Sequence, residues 1–420
     1  MRNHGASSIY IFLSGSSSLF FSMIFTIELI YQVKTIGLNP LQLVLVGSLQ
    51  QLVHFLFQTP TGVLADMYGR RRAVVLGLLL VGVGYLVEGT LPLYTAVLLG
   101  AGIGGLGATM MDGADSAWIA DEIGAEQVGL VYIRAAQVGT FASLVGIAIS
   151  SALAPIGLNL PILLGGSLCV VLSVILELIM PEQHFMPAQR KDRSSLQQMG
   201  HTLRTGMSMV YRRPVLLTIL SISAFYGLFS EGFGRFWPYH LLSRFTLPSL
   251  AGFPPVVWFG VIEAGIVVTN LIGIEIARRL IDTNSHHAVA WTLLAIDGLT
   301  AIGVVGFALA GQFALALAVF WLITTVIGPR TSLERVWMNQ NLVSSVRATI
   351  FSLQGQVASL ASITGGPLLG LIATAFSTRI GLIVAAIILV PALLLYARTA
   401  RYDKPLTAPD ESNRDIRKTG

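Results

Sequence analysis

The chain is expected to fold as an all-α polytopic membrane protein, with twelve transmembrane helices in two pseudo-symmetric six-helix bundles. Three observations lead there. Of 420 residues, 54% are hydrophobic and only 11% charged, whereas a soluble domain carries roughly 25% charged residues. Apolar stretches of ~20 residues, the length that crosses the hydrocarbon core, recur along the whole chain. The second half also echoes the first at matched positions.

In order, the helices are placed at residues 9–31, 41–64, 73–91, 93–120, 131–153 and 160–180, then 215–239, 256–280, 289–310, 314–338, 348–376 and 380–397. The first stretch is too long for a signal h-region and has no small-residue cleavage site, so it is expected to stay as a span. This divides the chain into a first bundle (1–180), a linker (181–214), a second bundle (215–399) and a tail (400–420). The linker holds Arg190, Lys191, Arg193, Arg204, Arg212 and Arg213, and the tail holds Lys404, Arg414, Arg417 and Lys418. With both termini and the linker in the cytoplasm, most of the 26 Lys and Arg fall on that side, and the opposite loops keep only Lys34, Arg244 and Arg379. The positive-inside rule then sets this orientation. The net charge of +5 is a topology signal and not a nucleic-acid footprint.

The halves repeat one another in register. Asp115-Ser116-Ala117-Trp118 near the end of the fourth helix is matched by Glu334-Arg335-Val336-Trp337 near the end of the tenth. Arg134-Ala135 and Arg347-Ala348 open the helices that follow, and Glu28 of the first helix is matched by Glu231 of the seventh. Duplicated halves around a central site are a transporter design.

Between the second and third helices stands Gly62-Val63-Leu64-Ala65-Asp66-Met67-Tyr68-Gly69-Arg70-Arg71-Arg72. It resembles the loop signature of the major facilitator superfamily, G-x-L-A-D-R-x-G-R-K/R-x, with Met67 in place of the first Arg. The run from Gly113 to Glu122 is similar to that of bacterial drug, macrolide and tetracycline exporters. The resemblance implies a twelve-helix secondary transporter that works by alternating access, usually as a monomer, in a bacterial inner (plasma) membrane. It further implies that Asp66 helps latch the cytoplasmic side shut, with Arg70 beside it. The second-half counterpart, Gly273 to Arg279, departs from the signature. The fifth helix lacks the Pro of the antiporter pattern, which appears instead as Gly365-Gly366-Pro367 in the eleventh, and the fourth lacks the antiporter Arg. Antiport is thus implied by the family and not by a motif.

A charged side chain at mid-membrane costs ~2.5–3.5 kcal/mol, so Glu28, Asp112, Asp115, Glu231, Glu263, Asp297 and Glu334 must pair, face a wet cavity or hold a proton. Glu231 with Arg235, and Arg330 with Glu334, share a helix face at i,i+4. Asp115 with Arg134, and Glu334 with Arg347, are expected to bridge adjacent helices as breakable gating pairs. Static salt bridges are the alternative. Glu28, Asp112 and Glu263 have no basic neighbour within a turn. The first and fourth helices line the cavity in the family's fold, so Glu28 and Asp112 lead the candidates for proton coupling, with Glu231, Glu263 and His54 behind them. Protonated carboxyls bonded to backbone carbonyls are the alternative, and Asp297 is expected to be structural.

Candidate substrate-cavity residues are Gln137, Tyr226, Phe229, Arg235, Asn270, Gln354 and Gln356. The polar ones would meet a solute's hydrogen-bonding groups or join helices, and the aromatic ones would stack on a flat or cationic ligand or pack against neighbouring helices. The glycines between Gly100 and Gly107 fit close helix crossing.

The expected function is a proton-coupled exporter of lipophilic or amphipathic small molecules. The alternatives are a proton-coupled importer or facilitator of a small polar nutrient, or a non-transporting membrane sensor on the same fold. The expected partners are a small-molecule substrate, protons and the lipid bilayer, with no cofactor, no metal and no nucleic acid. One Cys and seven scattered His offer no ligand spacing for a metal centre, and no nucleophile or phosphate-binding constellation points to an enzyme.

Overall fold

In the computed structural model the described residues are 3–185, 214–249, 252–342 and 344–399. Twelve helices long and apolar enough to cross a membrane lie among them. Most of the linker and the charged tail fall outside the described residues. The first span is Asn3–Tyr31, prolonged by a π-helical turn, Gln32–Ile36, that Gly37 closes at φ +79°. The second, Pro40–Tyr68, opens on a capping box in which Asn39 and Gln42 exchange side-chain-to-backbone hydrogen bonds. The third is Arg70–Thr90, the fifth Val128–Leu153 and the sixth Leu160–Ile179. In the second half, the seventh is Pro214–Arg244, the eighth Val257–Leu280, the ninth His286–Leu309 and the eleventh Ser344–Ala375.

The remaining spans are broken, which the sequence reading did not anticipate. The fourth is Tyr94–Met111 followed by Ala114–Ile123, interrupted at Asp112 and at Gly113, whose φ of +75° a helix cannot hold. The tenth is Phe313–Ile327 followed by Arg330–Asn341, interrupted at Gly328-Pro329, where Pro removes a helical N–H and crowds the preceding turn. The two breaks fall at corresponding places in the two halves. The twelfth, Thr378–Ile388 and Val390–Thr399, tightens at Leu389 just before Pro391.

Spans alternate in direction, so the first begins and the sixth and twelfth end on one side, here called the linker side. Core packing differs between the two sides. Near the far side, one cluster joins Ile27, Tyr31, Val44 and Ile162 of the first half to Phe229, Trp237, Phe259 and Phe320 of the second. On the linker side each half has its own core, one around Trp118 and Leu176 and the other around Trp337 and Tyr396. The halves therefore meet at the far side and part toward the linker side.

Glycines set the closest crossings. A Cβ on Gly84 would come 2.6 Å from the Gly100 carbonyl oxygen, and one on Gly77 would come 2.6 Å from that of Gly107. The third and fourth spans thus touch backbone to backbone. Gly84→Val is expected to destabilise the first half by about 1–3 kcal/mol, read as a lower midpoint for thermal unfolding in detergent. Gly104→Ala serves as the control, because nothing lies within 4 Å of its Cβ position. Equal midpoints for the two variants would contradict this packing account.

Candidate functional site

Where the halves diverge they enclose a cavity of about 660 Å³. Its acidic lining is Glu28 of the first span, Glu231 of the seventh and Glu263 of the eighth, and its basic groups are Arg235 and His54. Gln50, Gln51, Ser230 and Ser359 add neutral polar groups, and Phe25, Tyr85 and Trp237 supply aromatic wall.

Arg235 is the hinge of this arrangement. Its Nη2 donates to Gln50 Oε1 of the opposite half at 2.7 Å, and its Nε lies 3.5 Å from Glu231 Oε1, one turn back on its own helix. The pair rests on Gly47 of the second span, where any Cβ would collide with Glu231 Oε1 and press on the guanidinium. Ser359 Oγ donates to Gln51 Oε1 at 3.5 Å, a second link between halves. Glu28, 7% exposed, accepts a hydrogen bond from Gln32 Nε2 at 3.3 Å. The same nitrogen donates to Glu88 Oε1 of the third span at 2.9 Å. Glu263 faces the cavity with no hydrogen-bond partner among the described residues.

Toward the linker side, Asp112 is not the lone carboxyl expected from its own helix. His54 Nε2 of the second span lies 2.7 Å from Asp112 Oδ2. The break in the fourth span turns Asp112 toward that neighbour and leaves its side chain 54% exposed. In the signature loop, Arg70 reaches three groups. Its Nη2 lies 3.6 Å from Asp66 Oδ1, and its Nη1 bonds Asp121 Oδ2 at 2.6 Å and the Ala117 carbonyl at 2.7 Å. Arg70 thus ties the loop to the end of the fourth span.

The two expected gating pairs do not form. Asp115 accepts from the backbone N–H and hydroxyl of Ser116 at 2.6 and 3.1 Å, and Arg134 is exposed on the fifth span. Arg347 donates to the carbonyls of Asn339 and Leu342 at 3.5 and 3.4 Å, while Glu334 is taken by other partners. In each case a donor within the same segment or half is nearer than the Arg across the loop.

Glu334 instead belongs to a buried network in the second half. Arg330, 1% exposed, bonds Asp297 of the ninth span through Nε at 2.7 Å and Nη2 at 3.3 Å, and bonds Glu334 through Nη1 at 2.9 Å. Gln354 Nε2 donates to Glu334 Oε1 at 2.9 Å, and the guanidinium lies 3.3 Å over the ring of Tyr226. Tyr226 and Gln354 therefore serve this network and do not line the cavity. Phe229 is 1% exposed and stacks on Phe233, a core role that replaces ligand stacking. Asn270 packs against the Gly328 break, Gln356 is half-buried, and Gln137 is exposed on the fifth span. None of these three lines the cavity, and of the expected cavity residues only Arg235 does. Sequence reasoning passed over Glu88, although a carboxyl near the end of the predicted 73–91 span was a readable signal.

Two bundles meet around a central cavity, and the Gly62–Arg72 signature ends the second span and opens the third on either side of Gly69, at φ +119°. The family model for the Major Facilitator Superfamily covers residues 10–328. The chain belongs to the major facilitator superfamily. It is a multi-pass membrane transporter and not, by family, an enzyme. The transporter is 20% identical over 359 residues to the uncharacterized MFS-type transporter YxaM of Bacillus subtilis (strain 168), a match covering 85% of this chain and 86% of that one. Its fold is similar to that of the nucleoside transporter NupG, at TM-score 0.74 and 12% identity over 94% of this chain and 99% of that one. It is also similar to a bacterial homolog of the human lysosomal transporter Spinster in an inward-facing, unoccupied conformation, at TM-score 0.73 and 14% identity over 94% and 97%. The peptide transporter POT in complex with sulfate matches at TM-score 0.73 and 13% identity over 94% and 95%. These likenesses show the fold.

Proposed function

We propose that this transporter exports amphipathic organic compounds carrying positive charge in exchange for protons, from a bacterial cell membrane with the linker side in the cytoplasm. The observation that carries the reading is the charge balance of the cavity, where Glu28, Glu231 and Glu263 surround the one guanidinium of Arg235. An ionised carboxyl inside the bilayer is costly, so the unbalanced ones take up either a proton or a cationic solute. Competition for the same oxygens makes the two exchange. Phe25, Tyr85 and Trp237 supply faces for cation–π and apolar contact. A cavity that opens toward the linker side would load solute from the cytoplasm, and the inward proton gradient would drive it out by alternating access.

The test uses purified protein in liposomes with an acid interior, clamped membrane potential and radiolabelled tetraphenylphosphonium outside. Accumulation that collapses with an uncoupler, and that falls about tenfold or more in the Glu28→Gln/Glu263→Gln double variant, is the expected result. Tetraphenylphosphonium binding that is indifferent to pH and to both substitutions would defeat the reading. The neutral lining of Gln50, Gln51, Ser230 and Ser359 favours the second reading, a carrier of small polar nutrients, which predicts proton-linked uptake of such a solute instead.

A further inference from the structure

Glu88 does not line the cavity, yet it is 2% exposed inside the third span. One amide links it to Glu28, since Gln32 Nε2 donates to both carboxyls. Gln32 is wholly buried, and its Oε1 has no hydrogen-bond partner among the described residues. The inventory is therefore short of one donor. A buried amide oxygen calls for a donor, and two ionised carboxyls on one amide nitrogen are costly inside the bilayer, so this cluster favours holding a proton.

The surroundings do not otherwise neutralise the pair. The titratable groups packed around it are Tyr31, Tyr85 and Arg235, and Arg235 is already engaged by Glu231 and Gln50. Tyr31 spends its hydroxyl on the backbone carbonyl of Glu88 at 3.1 Å. Gly100 of the fourth span closes the other flank, where an added Cβ would lie 3.3 Å from Glu88 Cβ. The π-helical turn that begins at Gln32 widens the helix at the bridge, and such turns occur often at functional sites.

The two carboxyls sit at different depths. Glu88 is two residues from Thr90, the last residue of the third span, about 3 Å of helix rise. Glu28 is eight residues from the end of the π-helical turn at Ile36, roughly 10 Å along the axis. The bridge thus runs from the solute cavity toward the far surface, the side on which the halves are closed.

We infer that Glu28 and Glu88 share one proton across Gln32, and that this proton is exchanged through Glu28 with whichever side the cavity faces, Glu88 being the buried partner that sets its uptake and release. Release of that proton leaves both carboxylates on the one amide nitrogen, Gln32 Nε2. Glu88 is then a coupling residue that never touches solute. The inference rests on the proton-coupled reading above and adds to it a residue.

Infrared spectra of the reconstituted protein test the bound proton without any substrate. The expected result is a protonated-carboxyl C=O component that disappears in both Glu28→Gln and Glu88→Gln and shifts in Gln32→Leu. A spectrum unchanged by Glu88→Gln overturns the shared proton. Transport of tetraphenylphosphonium tests the coupling. Glu88→Gln is expected to cut pH-driven accumulation about tenfold while leaving apparent affinity and solute–solute counterflow within about twofold of wild type. Retained counterflow also establishes that the variant is folded. Undiminished pH-driven accumulation overturns the coupling role. A wild-type protein with no pH-driven transport defeats the proton-exchange function instead, and the infrared result then decides on its own whether the pair holds a proton.

Discussion

Arg330→Leu is expected to lower the stability of the purified transporter by about 3–5 kcal/mol, the largest loss from any single substitution considered, because it strands two buried carboxyls. The guanidinium is held by Asp297, which is wholly buried, and by Glu334, 9% exposed, with the Tyr226 ring against its face. A leucine fills part of the volume but leaves both Asp297 oxygens and Glu334 Oε2 without the Arg330 donor. Thermal unfolding in detergent reads the loss directly. A double variant, Asp297→Asn with Arg330→Leu, is expected to recover part of it, because the two residues are in contact and their effects are coupled. A loss for Arg330→Leu within about 1 kcal/mol, the scale of an ordinary surface change, would show that the network is not a structural pin.

The second large effect concerns which side is closed. Gly370 of the eleventh span lies against the second span near the far side, where an added Cβ would come 3.0 Å from Leu41 Cα. In the same place the Leu41 N–H donates to Thr374 Oγ1 at 3.0 Å. Gly366, one turn deeper, has Val44, Ser48 and Glu231 around it. Backbone cannot yield as a side-chain tip can, so Gly370→Leu is expected to penalise the far-side closure by about 1–3 kcal/mol. That shifts the balance of the two facing states by about 5- to 150-fold toward the one closed on the linker side. Spin labels at Leu41→Cys and Ser377→Cys are expected to report a longer distance in that background, and labels on the linker side a shorter one. Unchanged distances at both ends would mean that this contact does not bias alternating access.

Both predictions depend on contacts between residues that the sequence displays but does not pair. Arg330 and Glu334 are legible as an i,i+4 pair on one helix face. Their third member, Asp297, comes from another span, and no local spacing connects it to them. The expected Asp115–Arg134 and Glu334–Arg347 pairs were read from sequence order across a short loop. In the structure Ser116, Arg330 and Gln354 are nearer donors to those carboxyls. The same limit applies to Asp112, whose His54 partner sits on a different span, and to Glu88, legible as a carboxyl inside a span but not as the partner of Glu28 through Gln32.

The sequence by itself determined the class, the number of spans, the duplicated halves and the family. Those features follow from quantities that add up locally. An apolar run either is or is not long enough to cross hydrocarbon, and a loop signature is read residue by residue. The tertiary structure alone decided where the fourth and tenth spans break, which carboxyls share a cavity, and which residues are core. Phe229 and Tyr226 show the difference, since an aromatic residue on a spanning helix looks the same whether it faces solute, a guanidinium or another ring. Burial and pairing in a bundle depend on helix rotation and on neighbours distant in sequence. The cost of an unpaired charge in the membrane selects among those arrangements, and that selection acts only on the assembled bundle.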